Sequence, residues 1–66
     1  MKWSELQEWA ERNGMAAVWG GDGLGFVGAW LEDDRGRTML ITRDHDGVDA
    51  AQSALCRAVA KIREAR

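Results

Sequence analysis

An α+β domain built as a helix, a three-stranded antiparallel meander and a second helix (α-β-β-β-α) is the fold this sequence predicts. Three observations predict it: a helical period of apolar residues opens the chain, a stronger one closes it, and three apolar stretches divided by turn residues lie between them. At 66 residues there is room for one domain, residues 1–66. A domain of this size buries only roughly 60% of the surface its unfolded chain exposes.

The first helix has a capping box in Ser4 and Gln7, whose hydroxyl and amide satisfy backbone donors at a helix start. Trp3, Leu6, Trp9 and Ala10 share an arc of about 120° on a helical wheel, with Glu5, Glu8, Glu11 and Arg12 opposite. Asn13-Gly14 ends it, because glycine enters the left-handed conformation at the C′ position without steric cost. Next come an apolar run from Met15 to Trp19, the turn Gly20-Gly21-Asp22-Gly23, and a second run from Leu24 to Leu31, which together read as a hairpin. Leu24, Phe26 and Trp30 alternate with Val27, Ala29 and Leu31, so both faces of the second strand are apolar and a strand covered on two sides is expected. Glu32 to Gly36 makes the next turn, and Arg37 to Arg43 a third strand with Met39 and Ile41 opposite Thr38, Leu40 and Thr42. After Asp44-His45-Asp46-Gly47, Asp46 and Asp49 suit a helix N-terminus. The following stripe of Val48, Ala51, Leu55, Ala58, Val59 and Ile62 spans about 100°. Arg57, Lys61, Arg63 and Arg66 cluster near its end, where positive charge complements the helix dipole.

Composition narrows the function. A net charge of -2 and a pI near 5.2 oppose a module whose affinity comes from neutralising phosphates, so no direct nucleic-acid partner is expected. No apolar run approaches the roughly 18 residues of a membrane span, and Met1-Lys2-Trp3-Ser4-Glu5 lacks a signal-peptide apolar region; no membrane role and a cytoplasmic location are the expectation. Cys56 is the single cysteine, so an internal disulfide is impossible, and one histidine with one cysteine does not make a zinc site. Neither metal nor cofactor is expected, and a homodimer is the remaining reinforcement for so small a core.

The motifs that carry chemistry elsewhere have plainer readings here. Gly23-Leu24-Gly25-Phe26-Val27-Gly28 matches Gly-x-Gly-x-x-Gly, but a strand follows it where a dinucleotide site needs a helix. Asp44, His45, Asp46 and Asp49 lack the alternate spacing of a calcium loop. His45 has no nucleophile or paired carboxylate placed beside it by a recognisable motif, and Cys56, on the flank of the closing helix, reads as a partly buried small hydrophobe. No enzyme is expected. Four tryptophans are the unusual feature. Tryptophan is enriched at interaction hot spots, although aromatic area also fills small cores.

The element order is also that of the double-stranded RNA-binding domain, but Asp44, Asp46 and Asp49 occupy the place where that family carries a lysine-rich helix start. Ala54-Leu55-Cys56-Arg57-Ala58, together with the glycine-rich strand from Gly25 to Trp30, resembles the small phage proteins with an α-β-α sandwich domain. The resemblance covers the last two thirds of the chain and transfers no functional residue. It implies a phage or prophage origin, where tiny acidic proteins serve as inhibitors of host defence, including anti-CRISPR proteins. The leading expectation is therefore a non-enzymatic inhibitor or adaptor that binds a host protein with a basic surface through Glu5, Glu8, Glu11, Glu32, Asp33 and Asp34, with Trp19 and Trp30 as further contacts. The alternative is a sponge for a nucleotide signal, held in a dimer groove by stacking on Trp19 and Trp30 and phosphate pairing with Arg37 and Arg43.

Overall fold

A computed structural model of the chain describes residues 1–21, 23–44 and 47–65. The elements follow the expected order: α1 (Trp3–Arg12), β1 (Ala16–Gly21), β2 (Val27–Glu32), β3 (Thr38–Asp44) and α2 (Val48–Glu64). The strands form an antiparallel meander in the order β1-β2-β3.

α1 starts two residues earlier than the Ser4–Gln7 capping box implies. Lys2 is the N-cap residue, and the Glu5 carboxylate accepts its backbone N–H at 3.1 Å. The earlier start places Trp3 in the first helical turn, where it packs against the core. The far end closes as expected and in a specific geometry. The Met15 N–H donates to the Ala10 carbonyl at 2.8 Å and the Gly14 N–H to that of Glu11 at 3.2 Å, with Gly14 at φ +71°, which is a Schellman motif. The Asn13 side-chain amide adds a bond to the Trp9 carbonyl at 2.7 Å.

In the first hairpin the strands sit differently from the sequence reading. Gly20 and Gly21 belong to β1 rather than to the turn, and Leu24 to Phe26 lie in the connecting loop. Register explains the shift: Gly20 pairs with Gly28, and the indole of Trp30 lies across both. A Cβ on Gly20 would stand 3.3 Å from the Trp30 ring, and one on Gly28 would stand 3.2 Å from the Thr42 carbonyl oxygen. The glycines are thus the floor beneath a tryptophan. In β3 the pairing slips between Glu32–Thr38 and Leu31–Leu40, which makes Met39 the extra residue of a bulge and breaks the alternation expected from Thr38 onward.

Both helices cover the same sheet face. Their buried residues Leu6, Ala10, Ala51, Leu55, Cys56 and Val59 form one cluster with Ala29 and Leu31 of β2. The expected strand covered on two sides is therefore covered on one, and the domain has two layers. Small residues explain the close seating: Ala10, Ala29 and Ala51 are all at 0% exposure and let helix backbones approach the sheet. The Thr42 hydroxyl, within reach of the carbonyls of Ala29 at 3.3 Å and Ala51 at 3.1 Å, ties β3 to α2. On α2 the buried stripe runs through Cys56 instead of reaching Ile62, which is 47% exposed in the last turns of the helix. Gly47, at φ +99°, is the N-cap of α2 and has no side chain with which to cap it, while His45, Asp46 and Arg66 lie outside the described residues.

Candidate interaction surfaces

Cys56 stands inside the core, more fully buried than its flank position suggested. Loss of solvation raises its pKa; Glu5 acts in the same direction, while the N-terminal ammonium and Arg57 oppose it. The thiol is held protonated and packs as a small apolar group.

The six acidic candidates divide by what their carboxylates already do. Asp33 organises the β2–β3 turn: Oδ1 accepts the backbone N–H of Arg35 at 2.9 Å and of Arg37 at 2.8 Å, and Oδ2 pairs with Arg37 Nε at 2.8 Å. These bonds, led by the Arg37 backbone N–H, lower its pKa against a smaller opposing effect of desolvation. Glu32 is half-buried and accepts the indole N–H of Trp30 at 2.7 Å. Glu5 caps α1. Glu8, Glu11 and Asp34 remain, all exposed and with carboxylates that make no hydrogen bond or ion pair to any described residue.

Tertiary structure brings the end of α1 and the β2–β3 turn together, while Glu8 and Glu11 line a separate depression with Arg12. The end of α1 (Trp9, Asn13, Gly14) and the β2–β3 turn (Asp33, Asp34) line one open depression of about 410 Å³, with Met15 and Met39 as apolar lining. Met39, the bulge residue, is 61% exposed there. Arg63 of α2 reaches across to Trp9, its guanidinium carbon 6.0 Å from the ring centroid. The sequence offered no sign of this meeting, since the bulge that presents Met39 depends on cross-strand register.

Trp19 and Trp30 are not brought together. Trp19 pairs with Ala29 on the helix side of the sheet, whereas Trp30 pairs with Val18 and Ile41 on the uncovered side. Arg37 is tied into the turn and Arg43 pairs with Gly28 towards the opposite end of the sheet. Within one chain these four residues therefore line no common groove among the described residues; the nucleotide-sponge expectation set them in a groove between two copies.

The uncovered face is the second surface. Val18, Trp30 and Ile41 form its central row, Gly20, Gly28 and Arg43 the row on one side, and Ala16 and Glu32 begin the row on the other. Ile41 is 50% exposed, and Phe26 from the β1–β2 loop flanks a depression of about 190 Å³ beside the Trp30 ring. No described helix is long and apolar enough to cross a membrane, and no group of three or more His, Cys, Asp or Glu suited to a metal ion occurs among the described residues. No family model, curated protein or solved structure matches the chain.

Proposed function

We propose that this domain is a non-catalytic binding protein that captures a host protein through the acidic surfaces of α1 and the β2–β3 turn. The observation that carries the reading is the depression shared by the end of α1 and the β2–β3 turn, where apolar Trp9, Met15 and Met39 meet the exposed Asp34 beside the turn that Asp33 closes, with exposed Glu8 and Glu11 on another side of α1. An open apolar surface beside carboxylates suits the stem and charged head of a lysine or arginine, so the complementary partner presents a basic surface. Occupying such a surface would block whatever the partner binds there, which is how a small inhibitor acts without chemistry of its own. The resemblance to small phage sandwich proteins makes a bacterial defence component, CRISPR-Cas machinery included, the partner class to test first.

The test is a pull-down of the tagged domain from bacterial lysate beside its E8K/E11K variant. A stoichiometric protein with a basic surface, retained by the wild type and lost by the variant, is the expected result. A partner held equally by both overturns the contact assignment, and the absence of any partner overturns the reading.

A further inference from the structure

The uncovered sheet face is a separate surface, and its charge pattern says what covers it. Along β2, Glu32 lies two residues to one side of Trp30. Arg43, two residues beyond Ile41 on β3, lies to the other, because the strands are antiparallel. A two-fold axis running across the strands through the Val18–Trp30–Ile41 row turns one copy over and reverses its strand direction. Glu32 of the second copy then falls opposite Gly28 and beside Arg43 of the first, and the same contact repeats by symmetry, as an isologous interface requires. Among the described residues the Arg43 side chain makes no hydrogen bond or ion pair, and the Glu32 carboxylate uses one oxygen for Trp30.

Shape agrees with charge. Each Trp30 ring leans over Gly20 and Gly28 of its own sheet. In the two-fold arrangement the ring of the second copy leans the other way, towards the small residue Ala16, so the rings lie side by side between sheets spaced at about 10 Å.

The geometry points to a homodimer formed face to face through this sheet, with Trp30 and Ile41 at its centre and reciprocal Arg43–Glu32 pairs at its ends. It uses a face that the proposed host-protein contact leaves untouched, so either can fail alone.

Sedimentation velocity tests it. Wild-type protein should sediment at twice 7.3 kDa. Ile41→Glu, Arg43→Glu and Glu32→Lys should each weaken association by about tenfold or more. The decisive sample mixes the last two variants. Each alone sets like charges against each other, whereas a heterodimer restores both opposite-charge pairs, so the mixture should form a one-to-one dimer from two monomers. That readout also excludes misfolding as the cause of the single-variant losses. A monomeric wild type overturns the inference. So does a dimer indifferent to Ile41→Glu and Arg43→Glu, which would move the contact to the β1 edge or the helices, and so does a mixture that stays monomeric.

Discussion

At the scale of residues, Asp33 shows how a side chain can look like a binding group and serve as a structural one. Its carboxylate closes the β2–β3 turn on three donors, and those donors favour the charged form. A carboxylate whose folded pKa lies below its unfolded value stabilises the fold fully above the unfolded value, here 3.8, and loses that contribution as pH falls through the lowered folded value. Acid unfolding of the wild type should therefore steepen below about pH 4, and Asp33→Asn should flatten that limb. Superimposable acid limbs in urea titrations at successive pH values would count against this role. Glu32 and Trp30 make a similar pair: the bond between them aims the indole across Gly20 and Gly28. None of these pairings is visible in composition, which records acidic residues without saying which are already engaged.

At the scale of elements, local sequence was a good guide to type and a poorer one to ends. Asn13-Gly14 marked the end of α1 because left-handed backbone favours glycine, and Gly14 takes φ +71° with open space where a Cβ would stand. Gly14→Ala should cost about 1 kcal/mol through backbone conformation alone. Chemical denaturation would show it as a lower midpoint with an unchanged slope, and an unshifted midpoint would contradict the assignment. The start of α1 moved upstream because core packing of Trp3 outweighs the hydroxyl cap that Ser4 offers. Gly20 and Gly21 passed from turn to strand because the Trp30 indole covers the space that missing side chains leave, and no local propensity records a cross-strand neighbour.

At the scale of the whole molecule, the core is thin: among the described residues three of the eight buried ones are alanines, and the largest fully buried side chains are Leu6, Leu55 and Val59. Leu55→Ala should cost about 3 kcal/mol, a large share of the roughly 3–10 kcal/mol open to a domain of this length. Ile62→Ala, on the same sequence stripe but 47% exposed, should cost under about 1 kcal/mol. Equal losses from the two in urea denaturation would place the end of α2 in the core after all. Charge is also arranged at this scale, with Glu8 and Glu11 on α1 and Asp34 on the β2–β3 turn, while Arg57 and Lys61 lie on the second half of α2.

The sequence by itself determined the kind and order of the elements, because a period of 3.6 or of 2 and the glycines that interrupt it are local properties of the chain. It also determined which side chains of α1 face outward, since the wheel that gathers Trp3, Leu6, Trp9 and Ala10 leaves Glu8 and Glu11 exposed. Only the tertiary structure decided which face of the sheet the helices cover, and with it which tryptophan is left outside. Both faces of β2 are apolar in sequence, so alternation cannot choose between them. The choice falls to packing: Ala29 and Leu31 present a low surface on which Ala10 and Ala51 can seat two helices, while the opposite face carries the Trp30 indole folded over its own glycines.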